Sequence, residues 1–194
     1  MSRLLIAGFG PFPQAPDNPA AATVRRLMAE RWAPPDAQAA YAILPTTWAG
    51  AAETALHAAR TERADGVLLI GVAVGAQVFR VEQQARNRAG AGAGRADADG
   101  LFWPSDVIDA SGPSERRTSA PVHAMQDAIA AAGLPVTLSD NAGDYLCNFA
   151  LYRMLAEQPM TAFLHIPPLG EHVGIEDLLT ATRAAATAFT ACLD

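Results

Sequence analysis

Three short apolar runs place the strongest limit on what this chain can become. They lie in "RLLIAG" (residues 3–8), "DGVLLIGV" (65–72) and "TAFLHIP" (161–167). The first reads as a short buried strand and the last as a strand ending in His165, while the continuous run in "DGVLLIGV" is typical of a strand covered on both faces. Such strands need helices above and below the sheet. The segments between them supply helices. "AAATVRRLMAERW" has helical spacing, with Asn18 as its cap and Pro19 as its first residue. "AAYAIL" reads as a second strand, and "TTWAGAAETALHAARTE" as a second helix capped by Thr46 or Thr47. The order strand–helix–strand–helix–strand predicts an α/β domain with helices on both faces.

Beyond residue 72 the pattern continues. "QVFRVEQQARNR" reads as extended, and "AGAGAGRADADG" (89–100) as a mobile, turn-rich loop. "APVHAMQDAIAAAG" is helical and stops at Gly133, "LPVTLS" is a strand, and "DYLCNFALYRMLAE" is a helix. The strand "TAFLHIP" and a closing helix, "GIEDLLTATRAAATAFTACL", complete the chain, with no internal repeat. The 194 residues suffice for one well-cored domain, so a single domain over 1–194 is expected.

Composition removes several kinds of chemistry. The formal charge is −6 with no basic block, which argues against a nucleic acid or an anionic membrane as partner. All the basic residues are arginines, so a Schiff-base lysine, a Ser-Lys dyad and a Walker A lysine are excluded. The start, "MSRLLIAGFGPF", does not read as a signal peptide, and no run is long enough to span a membrane. The only cysteines, Cys147 and Cys192, have neither metal-ligand spacing nor a disulfide framework. The expectation is a cytoplasmic protein with reduced thiols and no metal.

The two cysteines differ in setting. Cys192 lies beside the apolar stripe of the closing helix and reads as a small core residue near a terminus. Cys147 follows a turn containing Gly143 and falls in the first turn of a helix, where unpaired N–H groups favour a thiolate and can hold an oxyanion. Position alone leaves it open whether Cys147 packs or reacts. A thiol nucleophile needs a base. Of four histidines, His57 and His123 sit within helices, His172 lies in a loop, and His165 ends an apolar strand. Functional groups gather at strand carboxyl ends in such sheets. The strand "PVTLS" leads by a short turn to Cys147, which should therefore share an edge with His165. Glu82 interrupts an extended apolar pattern. It is one of many acidic groups able to orient an imidazole.

Taken together, these segments resemble the pyroglutamyl peptidase type I (pyrrolidone-carboxylate peptidase) family of cysteine peptidases. The resemblance rests on "GFGPF", on Asn18-Pro19, on "VEQQARN", on "AGDYLCNFALY" and on "FLHIP", in that order along nearly the whole chain. It implies Cys147 as nucleophile, His165 as base, Glu82 as the residue orienting that base, and Phe9 and Phe12 as walls of a pyroglutamyl pocket. It further implies a three-layer α/β/α sandwich with a mixed, mostly parallel sheet. No cofactor is implied, and the expected assembly is a dimer or tetramer. The sequence departs from the family pattern at Gly10 (often Glu), at Pro13-Gln14 (usually Gly-Gly), and at Gln83 and Ala76 (usually Arg). Two other readings stay open. One is the same catalytic apparatus acting on another small cyclic amide. The other is a non-catalytic binding protein on this scaffold.

Overall fold

The computed structural model describes residues 1–12, 15–90 and 95–193. Its central strands are β1 (Ser2–Phe9), β3 (Gly66–Val72) and β8 (Thr161–Ile166), the three apolar runs of the sequence. With β2 (Ala37–Leu44), β4 (Phe79–Glu82) and β7 (Val136–Ser139) they form one sheet in the order β2-β1-β3-β8-β4-β7. β5 (Gln84–Arg86) and β6 (Glu115–Arg117) pair as a separate antiparallel ribbon. All neighbours in the large sheet are parallel except β4 and β8, which run antiparallel. The mixed, mostly parallel sheet is as expected.

Alternate residues of the central strands enter two separate cores. Leu5, Ala7, Leu69 and Phe163 pack with α2 (Ala51–Glu62) and α4 (Leu146–Glu157). Leu4, Ile6, Leu68, Ile70 and Leu164 pack on the other face with α1 (Pro19–Ala29), α3 (Val122–Ala131) and α5 (Ile175–Thr190). This is why these strands read as unbroken apolar runs: both faces are dry. Asn18 caps α1 by accepting from the Ala20 N–H, with Pro19 following it, as the sequence predicts.

Three sequence expectations differ from the structure, and one strand, β6, went unread. α2 begins at Ala51 rather than at a threonine. The Thr47 hydroxyl accepts from the Gly50 N–H, while Thr46 is turned inward to donate to the Gly10 carbonyl. β6 carries no apolar pattern, because it is a polar ribbon strand outside the main sheet. Cys192 is exposed and lies past the end of α5, so it is not a core residue. Residues 95–100 of the supposed mobile loop are tied down: Asp97 accepts from the N–H groups of Trp48, Asp99 and Leu101, and Tyr145 donates to the Ala96 carbonyl. The rest of that loop at 91–94, and the Pro13-Gln14 departure, lie outside the described residues.

The entry of α1 onto the sheet depends on Gly8. A Cβ there would stand 2.7 Å from the Ala20 carbonyl oxygen, a backbone atom that cannot swing aside. Gly8→Ala is expected to lower unfolding free energy by about 1–3 kcal/mol, the usual cost of overpacking. Chemical denaturation followed by circular dichroism checks this.

Candidate active site

The single antiparallel junction of the sheet builds the core of the site. β4 pairs with β8 so that Arg80 faces His165 and Glu82 faces Phe163. Side chains alternate along a strand, so Arg80 and Glu82 share one face while Phe79 and Val81 enter the opposite core. Glu82 has no exposed surface and His165 is 3% exposed. The His165 Nδ1–H donates to Glu82 Oε1 at 2.7 Å. This bond fixes the imidazole and leaves Nε2 free to face the cavity.

Glu82 is held as an anion. Burial opposes its charge most strongly. The hydrogen bond and charge of His165, the neighbouring Ser139 hydroxyl and Arg80 together outweigh burial and keep the carboxyl below its ordinary 4.5. Its second oxygen, Oε2, is buried without a hydrogen-bond partner among the described residues.

Cys147 is the second residue of α4, whose N-cap, Tyr145, supplies no side-chain hydrogen bond. The first N–H groups of the helix therefore have no side-chain cap. Sγ packs over β3: a Cβ built on Gly71 would lie 2.8 Å from it. Gly71 is the register partner of His165, so sulfur and imidazole stand over adjacent strands and line the same cavity. The next residue, Asn148, locks this arrangement. It is fully buried, accepts from the Arg86 N–H and donates to the carbonyls of Arg86 and Arg88. The helix bearing the thiol is thereby tied to the segment that follows Glu82.

The charge state of the sulfur corrects the sequence reading. A helix start suggests a lowered thiol pKa. Here burial pushes the Cys147 thiol up to about 12, and the Glu82 charge adds to that, while Arg80 and the Cys147 backbone N–H pull the other way. Burial thus favours the protonated sulfur. It becomes a nucleophile only as its proton leaves for a base.

The cavity measures about 850 Å³ and is lined by Phe9, Phe12, Arg80, Cys147 and His165, with Glu82 behind them. All five site residues expected from the sequence therefore converge. Asn18 and Thr46 also line the cavity, but both side chains donate to the Gly10 carbonyl, so they shape the wall. The route by which Cys147 arrives differs from the sequence argument. β7 is parallel to β4, hence antiparallel to β8, so the two carboxyl ends do not share an edge. The segment 140–145 carries the chain back to the site.

Arginines also line the cavity where the sequence reading saw only lost cations. Arg80 and Arg95 are both present, whereas Gln83 and Ala76 are not among the lining residues. Gln83 instead donates to the Asp140 carboxylate. Arg80 was legible as the residue two before Glu82 in an extended segment, hence on the same face. A second depression of equal volume opens beside Met1, Asp65 and Cys192. No histidine lines it, whereas the cavity over Cys147 holds both a thiol and an imidazole. Among the described residues, no cluster of His, Cys, Asp or Glu is suited to a metal, and no helix is long and apolar enough to cross a membrane.

Known proteins share this arrangement of elements. The family model described as pyroglutamyl peptidase matches residues 2–184. The pyrrolidone-carboxylate peptidase of Levilactobacillus brevis is 38% identical over 178 residues, covering 88% of this chain and 84% of that protein. The one from Mycobacterium marinum is 31% identical over 198 residues, covering 95% and 88%. The crystal structure of Bacillus amyloliquefaciens pyroglutamyl peptidase I superimposes with a TM-score of 0.90 at 24% identity, covering 100% of this chain and 99% of that one.

Two outcomes check the geometry. Gly71→Ala brings a methyl group against Sγ and the Phe163 ring. It should reduce turnover roughly a hundredfold while the circular dichroism spectrum stays native, the scale of loss expected for a displaced reacting group. The stability that Glu82 contributes should be complete above about pH 4.5 and fade as pH falls through its lower folded value. Thermal unfolding should therefore lose Tm more steeply below pH 4.5 in the wild type than in Glu82→Gln.

Proposed function

The chain belongs to the pyroglutamyl peptidase family, and from that premise we propose that it is a cysteine exopeptidase releasing N-terminal pyroglutamate from peptides. The observation that carries the reading is the buried Glu82–His165 hydrogen bond beside a cavity that also receives the Cys147 sulfur.

In this reading Cys147 is the nucleophile. Sγ attacks the carbonyl carbon of the pyroglutamyl residue as its proton passes to His165 Nε2. The carbonyl oxygen takes up the electron pair and is held by the uncapped N–H groups at the start of α4. When the tetrahedral intermediate collapses, the C–N bond breaks and His165 returns the proton to the leaving amine. A thioester remains on Cys147. Water, giving a proton to Nε2, attacks that thioester, and collapse frees pyroglutamate and restores the thiol. Glu82 keeps Nδ1 occupied throughout, so the proton traffic runs through Nε2. A neutral resting thiol suits this sequence, because the sulfur is activated only when substrate is in place.

The pyroglutamyl lactam is flat and uncharged. Phe9 and Phe12 offer apolar walls, and no carboxylate is required to anchor an amine. The proposal includes one catalytic domain spanning the chain, supported by the contribution of β1, β3, β4, β8 and α4 to one cavity. It also includes a cytoplasmic location, supported by two free cysteines, and a dimeric or tetrameric assembly, which light scattering can test.

Hydrolysis of a pyroglutamyl-aminoacyl reporter by the purified protein is the test. Turnover is expected on that reporter and not on proline or leucine reporters, and it should vanish in Cys147→Ser. Cleavage of a different cyclic-amide reporter instead would transfer the reading to a shifted specificity. Absence of thiol-dependent turnover on every reporter would indicate a binding role.

A further inference from the structure

The site is laid out across the sheet in strand order. Phe9 ends β1, Sγ of Cys147 sits over Gly71 in β3, His165 belongs to β8, and Arg80 lies in β4. The order β1-β3-β8-β4 thus runs from the acyl pocket, past the nucleophile, past the imidazole, to a guanidinium. The leaving amine takes its proton from His165. The leaving group therefore extends to the far side of the imidazole from the acyl pocket, the side occupied by Arg80.

Several features fit Arg80 to this position. Because β4 runs antiparallel to β8, residue 80 stands nearer the open end of the site than residue 82: Arg80 is level with His165, and Glu82 with the deeper Phe163. Its Nε is buried, stands 3.7 Å from Glu82 Oε1, and has no hydrogen-bond partner among the described residues. One third of its side chain remains exposed at the cavity. Glu82 thus steadies the stem of the guanidinium without occupying the fork. Adjacent strands are about 4.8 Å apart, and the carboxyl carbon of a leaving amino acid lies two bonds, about 2.5 Å, from the scissile nitrogen. A carboxylate there falls within reach of the fork, which matches carboxylate geometry through paired N–H groups.

The other charges on the cavity are placed differently. Asp97 is committed to the backbone N–H groups of Trp48, Asp99 and Leu101. Arg95 lies over the Tyr145 ring, 6.0 Å from its centroid, and Asp144 is on the segment leading into α4.

We infer that Arg80 receives the free α-carboxylate of the leaving amino acid, so that the enzyme favours pyroglutamyl dipeptides over substrates whose next carbonyl is an amide. This rests on the peptidase reading above. Arg80 is a specificity-determining residue in this scheme, and longer peptides, which carry an amide at that place, forgo the charged contact.

The test compares kcat/KM for pyroglutamyl-alanine and pyroglutamyl-alaninamide in the wild type, Arg80→Gln, Arg80→Lys and Arg95→Gln. The wild type should prefer the free acid by about tenfold or more, the scale of one charge-assisted hydrogen bond. Arg80→Gln should bring the ratio near one, Arg80→Lys should keep part of it, and Arg95→Gln should leave it unchanged. A wild-type ratio at or below one overturns the inference without reference to any variant. So does an Arg80→Gln loss shared equally by both substrates, which would mean that Arg80 acts through Glu82 and His165. Loss of the preference in Arg95→Gln alone overturns it as well. If the wild type cleaves neither compound, the peptidase reading itself fails, an outcome distinct from cleavage of both without preference.

Discussion

One hydrogen bond, from His165 Nδ1 to Glu82 across the antiparallel β4–β8 junction, organises everything else in the site. A buried carboxylate is tolerated only where donors and cations compensate its desolvation. His165, Ser139 and Arg80 provide that compensation from three neighbouring strands, β8, β7 and β4. In return the imidazole has one orientation and one free nitrogen. The reversal of β4 is what permits this. It puts Glu82 deep, opposite Phe163, and Arg80 toward the mouth, opposite His165, so that one short strand delivers both a hidden anion and an accessible cation.

The sulfur is placed by packing and left neutral by its surroundings. Gly71 leaves the space over β3 that Sγ fills, and Asn148 fastens the start of α4 to the backbone at Arg86 and Arg88. Burial then works against a thiolate, and the nearby carboxylate strengthens that effect. The balance suits an enzyme whose nucleophile is formed by proton transfer in the substrate complex.

Much of this was legible in the sequence, and the residues explain why. β1, β3 and β8 announce themselves because burial on both faces demands unbroken apolar runs. Cys147 and His165 stood out because a helix start and a strand end are where chemistry gathers. Glu82 was one acid among many until family resemblance selected it. What stayed hidden depends on relations between distant segments. The direction of β4 and β7 leaves no mark on their composition, so the sequence argument brought Cys147 to the right place by the wrong route, from the end of β7 rather than through the returning segment 140–145. β6 is short, polar and stabilised by its partner rather than by its own pattern. Cys192 read as a core residue beside an apolar stripe, but the helix ends two residues earlier at Thr190. The push of burial on the thiol left no mark in the sequence because helix position is local, whereas burial is set by the whole fold.

The most direct test is the tautomer of His165, read by long-range proton–nitrogen NMR on uniformly labelled protein with the imidazole in its neutral form. The account requires the proton on Nδ1, shared with the Glu82 carboxylate, and a bare Nε2 turned to the sulfur, with the Nδ1 signal changed in Glu82→Gln. A proton on Nε2 instead, or a tautomer indifferent to the loss of the carboxylate, would contradict it.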